Sequence, residues 1–406
     1  MSADVLDRAD LLGQDAQFDL CAREGRPAPD GDTSSDGLAR AEKRYRHGDI
    51  RRHISLVQHP TDGPIPVLKM LQTNACAKDC YYCPFRAGRS FRREAFTPDE
   101  LARLTDQLYR ARVIRGLFLS SGVVGHGDHS MAQIVATAEI LRARYRFDGY
   151  LHLKIMPAAS DAAIERAVAL ADRVSVNLEA PTAARLARLT GTKDINADLV
   201  APLRHVAAVA AQTGRRISRV TQFVVGAAGE SDAEILGTTD RLYREVGLGR
   251  AYFSAFRPIP DTPLDGLPPE DPRRQRRLYQ ADFLMRQYGF DAAEIPLDGH
   301  GNLVRGVDPK LAWAIRHPDR FPVEVNRADR QTLLRVPGLG PAAVDRIVAA
   351  RRAGKLRDPA HLRALGIVVA RALPWVLLDG RAAPRQLRLA GVDDGPAPTQ
   401  REPLAS

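Results

Sequence analysis

The sequence contains few cysteines and no long apolar stretch, and each shortage excludes a class of protein. Four cysteines in 406 residues cannot hold together a fold of this size, so a small disulfide scaffold is excluded. No run of about 18 apolar residues occurs, and no membrane-spanning helix is expected. Residues 1–8 lack the basic start and the apolar stretch of a signal peptide. We therefore expect a cytoplasmic protein, whose thiols stay reduced.

What the sequence has in quantity is core-forming and basic residues. Hydrophobic residues make up 44% and charged residues 27% of the chain, which is typical of a globular protein. The 59 Lys and Arg outnumber the 49 Asp and Glu, and the formal charge of +10 favours polyanionic partners. At about 150 residues per domain, the length predicts two or three domains. We divide the chain into an N-terminal helical or linker segment (1–52), an α/β domain (53–295), a connector (296–323), a compact basic module (324–380) and a tail expected to be disordered (381–406).

Between residues 66 and 256, short β-rich runs alternate with helical patterns. Thr97 and Glu100, with a proline between them, form a capping box that opens a helix. Alternation of this kind predicts parallel βαβ units, in a barrel or an open sheet, with the chemistry at the carboxyl ends of the strands. The predicted strands are 67–72, 116–120, 150–155, 173–178, 218–225 and 250–256, and the predicted helices are 98–112, 130–145, 160–171, 196–213, 231–246 and 273–289.

Three cysteines, Cys76, Cys80 and Cys83, directly follow the first of these strands. Thiolates at this density select an iron–sulfur cluster or zinc. A closed zinc site needs four ligands, and only three cysteines are present locally. Three cysteines on a four-iron cluster leave one iron open to a further ligand, which suits catalysis. The alternatives are a zinc site completed by Cys21 or a histidine, and a ferredoxin-like electron carrier; for Cys21 itself we favour a core thiol.

The C-x3-C-x2-C spacing, with the aromatic Tyr82 before the last cysteine, resembles the signature loop of the radical S-adenosylmethionine (SAM) superfamily. In that family the loop follows the first strand of a partial (β/α)6 barrel. The resemblance implies a [4Fe-4S] cluster held by Cys76, Cys80 and Cys83, with SAM on the fourth iron. It further implies an electron donor such as flavodoxin or ferredoxin. One electron would then cleave SAM to methionine and a 5′-deoxyadenosyl radical that abstracts hydrogen from the substrate.

The same resemblance implies SAM contacts at the ends of further strands. Ser120, Ser121 and Gly122 end the second strand, where the family has a small-residue motif, more commonly Gly-Gly-Glu, beside the methionyl amine. The alternative for every such contact is a polar residue with a structural hydrogen bond inside the barrel. The remaining implied contacts are Tyr82, three residues that alternate along one face of the fourth strand (Ser175, Asn177 and Glu179), and two on the fifth strand (Gln222 and Gly226).

The basic module is predicted to contain a glycine-rich turn between two helices. We expect Asn326 to cap a short helix, residues 337–340 to form a tight turn, and Pro341 to begin a second helix. Glycines let the backbone approach a phosphate closely, and a helix N-terminus offers free N–H groups. Leu339, between two glycines, is expected to fill the core of the module.

This pattern resembles the helix-hairpin-helix motif of DNA-binding and repair proteins, with a degenerate second copy at 361–367. The alternative is a module for protein interaction or packing. The arginine-rich run 273–277 is a weaker signal, because such runs usually form a solvated helix face. The resemblance implies contacts to DNA phosphates from Gly338, Leu339, Gly340, Arg346 and Arg351.

Together the two resemblances cover nearly the whole chain. Their combination resembles a family of radical SAM proteins assigned to DNA modification or repair. The fold implied is an α/β partial (β/α)6 radical SAM barrel followed by a small all-α helix-hairpin-helix domain. The function implied is a radical SAM enzyme that acts on DNA. Two alternatives stay open: a non-enzymatic DNA-binding protein with a structural metal, and a radical SAM enzyme acting on RNA or a small molecule.

Overall fold

The computed structural model describes residues 3–18, 50–59, 62–125 and 127–382. Cys21, most of the predicted N-terminal segment and nearly all of the predicted tail lie outside these residues. The chain forms two compact units, Met1–Trp313 and Ala314–Ser406, which divide inside the predicted connector. In the described part, no helix is both long and apolar enough to cross a membrane.

A seven-stranded sheet with the spatial order β1 to β7 forms the centre of the first unit. The first two strands are antiparallel, and β2 to β7 pair in parallel with their sequence neighbours, so the sheet is a curled half barrel. This confirms the predicted six parallel strands and adds β1, which was not predicted. The strands are β1 (Ile54–His59), β2 (Gly63–Leu71), β3 (Gly116–Ser120), β4 (Tyr150–Lys154), β5 (Arg173–Ser175), β6 (Ser218–Val225) and β7 (Arg250–Ala255).

Strand β5 is shorter than the predicted 173–178. The N–H of Leu178 donates to the side-chain oxygen of Thr221, 3.1 Å away, rather than to a backbone carbonyl. Glu179 then has a left-handed φ of 66°, which no regular strand residue adopts. Asn177 and Glu179 therefore lie just beyond the strand, in the segment that leaves the carboxyl edge of the sheet.

The six helices predicted for the α/β region are all present, and two further helices, Ala183–Leu186 and Pro309–Arg316, were not predicted. Thr97 and Glu100 form the predicted capping box at the start of α2, and Ser231 and Glu234 form another at the start of α7. Two predicted helices include a π-helical turn, at Ile140–Arg144 and Ile195–Val200. The helices are α1 (Ala3–Asp15), α2 (Pro98–Arg110), α3 (Gly127–Glu139), α4 (Asp161–Leu170), α5 (Ala183–Leu186), α6 (Ala201–Thr213), α7 (Asp232–Val246), α8 (Pro272–Tyr288) and α9 (Pro309–Arg316).

The interior of the half barrel changes character along its strands. An apolar cluster toward the amino ends fills the space between strands, as expected for a sheet buried on both faces. Polar residues such as Ser120 and Ser175 are buried at the carboxyl ends instead. The barrel therefore has a packed base and a polar mouth. The apolar cluster consists of Val57, Ile65, Val67, Phe118, Tyr150, Val220 and Tyr252.

The second unit is mainly helical, with one addition to the all-α expectation. A small sheet of three short strands, β8 (Val323–Glu324), β9 (Val376–Leu378) and β10 (Arg381–Ala382), joins its two ends. Strands this short carry too little pattern to be read from sequence. The helices are α10 (Arg330–Arg335), α11 (Pro341–Ala353), α12 (Pro359–Ala364) and α13 (Val369–Ala372).

The predicted cap of the first short helix was wrong. Asp329, not Asn326, caps α10, and its carboxylate accepts from the N–H of Thr332 at 2.7 Å. The Asn326 side chain instead bonds both backbone groups of Leu356, at 3.0 and 2.8 Å. An amide has a donor and an acceptor and can satisfy both groups of one peptide position, which a carboxylate cannot.

Candidate functional site

The three predicted cysteines lie together in the irregular loop after β2, at the carboxyl edge of the sheet. The N–H of Cys83 donates to the carbonyl of Cys80 at 3.1 Å, which folds these two residues into one tight turn. The sulfur of Cys76 accepts from the N–H of Val123 at 3.4 Å. All three are free thiols, so the mouth of the barrel presents three soft donors.

Burial is the main influence on the protonation of two of these thiols. It raises the pKa of Cys80 and of Cys83, and the neighbouring thiols raise the pKa of Cys83 further. Coordination to a metal has the opposite effect on the pKa of a cysteine, because it stabilises the thiolate. In the described part, no three His, Cys, Asp or Glu side chains are grouped to hold one metal ion. Cysteine thiolates are the ligands of iron–sulfur clusters, so the donor set fits a cluster.

The predicted Ser-Ser-Gly segment packs directly against the cysteine loop. The N–H of Gly122 donates to the carbonyl of Thr73 at 2.7 Å, and a Cβ at this position would lie 2.1 Å from the carbonyl oxygen of Ala75. Ser121 is buried and donates to the carbonyl of Gly122. Only glycine allows this approach, so residues 120–122 lie beside Cys76, while the SAM contact that the resemblance implied for them stays a prediction.

Lys193 is a buried residue of this site that the sequence did not reveal. Its Nζ donates to Oε1 of Glu179 at 2.7 Å, with the two side chains 7% and 8% exposed. Burial alone lowers the pKa of Lys193, but nearby Cys80 and Glu179 raise it, and the net pKa lies above the ordinary value. Tyr82 lies beside the same carboxylate, and burial, followed by Glu179, raises the pKa of its hydroxyl. Lys193 is therefore a fixed cation next to the second cysteine.

Asp79 holds the turn that carries this lysine. One carboxylate oxygen accepts from the hydroxyls of Thr190 and Thr192, at 2.5 and 2.7 Å, and the other accepts from the N–H of Gly191 at 3.0 Å. Hydrogen bonding to the charged form outweighs the effect of burial, so the pKa of Asp79 is lowered. Because Asp79 directly precedes Cys80, the cysteine loop and the 190–193 turn form one connected structure.

Two buried oxygens at the mouth indicate a bound polar molecule. Ser175 is fully buried, and within the described residues neither its hydroxyl oxygen nor Oε2 of Glu179 has a hydrogen-bond partner. Buried polar groups in native proteins nearly always have partners, so each exception needs an explanation. A ligand with amino, carboxylate and hydroxyl groups would satisfy both oxygens. Ser175, Asn177 and Glu179 are all buried, as expected for residues lining this end of the barrel.

The two SAM contacts predicted for the fifth parallel strand, which is β6, have different surroundings. Gln222 is buried within β6. Gly226, beyond the end of that strand, has φ of 98°, and Glu270 already fills the space in which its Cβ would lie, 2.4 Å away. Its N–H donates to Glu230 at 2.6 Å. A buried cluster of acidic groups around Arg274 thus surrounds Gly226.

This cluster corrects the expectation that residues 273–277 form a solvated face. Arg274 is 5% exposed, and its guanidinium donates to Asp232, Glu270 and the carbonyl of Glu230, at 2.7, 2.7 and 2.6 Å. Its neighbour Arg273 is exposed, as expected. Residues 273–277 are mostly arginines, yet one of them faces the interior, because successive residues of a helix are rotated by about 100°.

The predicted DNA contacts in the second unit lie around two glycine turns. Gly338 has φ of 82° and Gly340 directly precedes α11, while Leu339 between them is 1% exposed and fills the core as predicted. The two arginines have structural bonds. Nε of Arg346 donates to the carbonyl of Leu365 at 2.7 Å, and Arg351 donates to the carbonyls of Val325 and Ala328, at 3.0 and 2.6 Å.

A second turn repeats the first after 28 positions. Gly366 has φ of 69° where the first turn has Gly338, and buried Ile367 stands where the first has Leu339. Val368, which is 56% exposed, replaces the second glycine. The assignment of these two turns to a helix-hairpin-helix pair stays a prediction.

The half barrel thus presents, at the carboxyl ends of its strands, three free thiols and two buried oxygens without partners among the described residues. Residues 70–242 match the family model of the radical SAM superfamily. Residues 70–242 therefore form a radical SAM domain, the kind of domain that uses a [4Fe-4S] cluster and SAM in the enzymes of that superfamily. The match covers less than half of the chain and includes none of the second unit.

Comparison with characterised proteins adds little detail. No curated protein matches the sequence. Among solved structures, two of HydG, a maturase of the [FeFe]-hydrogenase, are 14% identical over 53% of this chain, with TM-scores of 0.43 and 0.42; the second is from Carboxydothermus hydrogenoformans. The chain covers 48% and 50% of their lengths, about half. Methylornithine synthase (PylB) is 14% identical over 65% of this chain and 71% of its own, with a TM-score of 0.41.

Proposed function

We propose that the protein is a radical SAM enzyme that modifies or repairs DNA. The observation that carries the DNA part is the distribution of charge. Residues 314–382 contain thirteen Lys and Arg and six Asp and Glu, so this stretch carries +7 of the chain's formal charge of +10. It also holds the two glycine turns. Basic charge beside backbone that can approach phosphate closely is the combination that sequence-independent DNA binding requires.

In this proposal the residues of the barrel mouth hold the cofactors. Cys76, Cys80 and Cys83 would bind the cluster, which with SAM bound and one electron supplied generates a 5′-deoxyadenosyl radical. The residues predicted to contact SAM would orient it and keep water out. They are Tyr82, Ser120, Ser121, Gly122, Ser175, Asn177, Glu179, Gln222 and Gly226; Gly226 would act through the shape of its turn, since Glu270 occupies its open side.

The second unit would hold DNA through its turns. Helix α11 has 13 residues and begins directly after Gly340, so its first N–H groups are free for a phosphate. Leu339 would anchor the turn from within, and Gly338 would provide its left-handed bend. Arg346 and Arg351 would act mainly by holding this structure together, because their guanidinium groups already donate to carbonyls.

Two further elements belong to the proposal. A low-potential protein such as flavodoxin or ferredoxin would supply the electron, since the barrel contains one set of cluster cysteines. The cytoplasm is the proposed location, because free thiols and a reduced cluster persist there.

The cofactor part is tested by anaerobic purification and reconstitution. We expect about four irons and four acid-labile sulfides per chain, an EPR signal that changes when SAM is added, and 5′-deoxyadenosine on reduction. Cys76→Ala, Cys80→Ala and Cys83→Ala should each abolish all three. Cys21→Ser should retain them. Zinc without acid-labile sulfide in anaerobic protein would show that the site is structural.

The substrate part is tested by following hydrogen. DNA deuterated on base and sugar carbons is incubated with the reduced holoenzyme and SAM, and mass spectrometry measures deuterium in 5′-deoxyadenosine. Transfer from DNA supports the proposal. Transfer from RNA of the same sequence, with none from DNA, would assign the enzyme to RNA instead.

A further inference from the structure

The segment directly after the third cysteine has an unusual composition. Residues 84–93 contain four arginines, two phenylalanines and no acidic residue, and form neither helix nor strand. We call it the arginine segment. Nε of Arg89 donates to the carbonyl of Pro260 at 3.2 Å, and the N–H of Leu264 donates to the carbonyl of Tyr81 at 3.3 Å. The segment therefore lies against the loop that follows β7, across the carboxyl edge of the half barrel.

Among the described residues, several cations here have no acidic partner. The Arg93 guanidinium lies 4.3 Å from the centroid of the Phe91 ring, and its Nη2 donates to the carbonyl of Arg89 at 3.1 Å. Arg86 donates to the carbonyl of Asp79. In the described ranges, no carboxylate pairs with Arg86, with Arg93 or with the exposed Arg257 that follows β7. A guanidinium stacked on a ring loses little entropy when its remaining donors bind an oxyanion.

A neighbour provides a natural contrast. Arg92 is also exposed, but its Nη2 lies 2.8 Å from Asp7 and 2.9 Å from Glu94. Its charge is balanced within the protein. Arg92 and Arg93 therefore differ in whether a polyanion could gain from them, although they are adjacent in sequence and both exposed.

The recessed site restricts which DNA could react. Cys80 is 6% exposed and Ser175 is fully buried, so a base stacked within a duplex could not reach the atoms between them. Enzymes that act on a base inside DNA take it out of the stack or use single strands. The backbone on either side of such a base would cross the rim, where the arginine segment lies. Arginines interleaved with aromatic rings are typical of surfaces that hold unpaired strands.

We infer that the arginines of the arginine segment that have no acidic partner among the described residues, Arg86 and Arg93, together with Arg257, bind the phosphates that flank an unpaired or extruded DNA nucleotide at the mouth of the barrel. This inference rests on the proposed action on DNA. It assigns two roles to two places: the glycine turns of the second unit hold DNA regardless of its pairing, and the arginine segment distinguishes unpaired from paired DNA.

The test compares full-length Arg93→Ala/Arg257→Ala with Arg92→Ala as the matched control. Fluorescence anisotropy measures the affinity for a single strand, a fully paired duplex of the same sequence, and that duplex with one unpaired nucleotide, at several salt concentrations. We expect the wild type to prefer the two unpaired probes. The double variant should lose this preference, and its salt slope on the single strand should fall by about 1.4, or about 0.7 for each lost phosphate contact. Iron content and thermal midpoint confirm that the variants are intact.

The other outcomes separate this inference from the proposed function. If the double variant and Arg92→Ala both bind every probe as the wild type does, the arginine segment is not the docking surface, although action on DNA stands. If the wild type binds none of the DNA probes, both ideas are wrong. A wild type that prefers the single strand of RNA over that of DNA would overturn the DNA assignment of this surface.

Discussion

At Gly122, one methyl group decides whether the cysteine loop can form. A Cβ there would lie 2.1 Å from the carbonyl oxygen of Ala75, the residue before the first cysteine. Gly122→Ala should therefore displace the loop, lower the iron bound after reconstitution and cost about 1–3 kcal/mol of stability. Gly237→Ala is the control, because that glycine lies inside α7 with nothing near its missing Cβ, and alanine should stabilise the helix by about 1 kcal/mol. Equal iron in both variants would contradict the prediction.

Glu100 gives the first unit a specific dependence on pH. Its carboxylate accepts from Arg8, at 2.8 and 3.2 Å, and from the N–H of Thr97, and these bonds lower its pKa from 4.5 to about 2. A lowered pKa means that the folded state binds the proton less tightly, so the stabilisation is complete above pH 4.5 and is lost as the pH falls toward 2.

Glu100→Gln tests this link between α1 and α2. Wild type should be more stable than the variant at pH 7, and urea unfolding at decreasing pH should show the difference shrinking below about pH 4.5 and vanishing near pH 2. A difference that stays constant down to pH 3 would mean that the carboxylate contributes through packing, not through its charge.

At the scale of elements, the Asp79 carboxylate joins the cysteine loop to the turn that carries Lys193. Asp79→Ala removes three hydrogen bonds at once, so we expect Lys193 to leave its place beside Glu179 and SAM to bind several-fold more weakly, while three cysteines still take up iron. Thr192→Val removes one of the three bonds and should have a smaller effect. SAM affinity comes from the EPR change on titration, and iron content and thermal midpoint are the controls. If Asp79→Ala binds SAM as tightly as the wild type does, the 190–193 turn keeps its conformation without the Asp79 carboxylate.

The same scale shows where sequence reasoning works and where it stops. Strands, capping boxes and the cysteine spacing are local patterns, so the six parallel strands and the Thr97 cap were predictable. Lys193 and Arg274 were not, because each owes its burial to partners far away in sequence: Glu179 and Cys80 for the first, Asp232 and Glu230 for the second. A buried charge carries no local signal, and the residues that pair with it are set by topology alone.

At the scale of the whole molecule, the unequal net charge of the two units suggests that they have different functions. The residues proposed to bind cofactors all lie in the unit Met1–Trp313, whereas most of the net positive charge lies beyond residue 313. Arg351→Ala should act on the second unit as a structural change, because its guanidinium donates to two backbone carbonyls, of Val325 and Ala328, in part-buried hydrogen bonds. It is therefore a poor probe of DNA binding, and exposed arginines without such bonds are better ones.

Arg352→Glu/Arg363→Glu in the full chain is the sharper test of this division. Both side chains are exposed on the second unit, so the fold, the iron content and the rate of uncoupled SAM cleavage should be unchanged. Affinity for duplex DNA should fall uniformly across sequences, and each true phosphate contact should take about one unit from the salt slope. Arg103→Glu/Arg216→Glu, both exposed in the first unit and, like the test pair, without an acidic partner among the described residues, changes the net charge by the same amount and is the control. If both pairs lower affinity equally, DNA responds to net charge alone and the second unit is not its binding site.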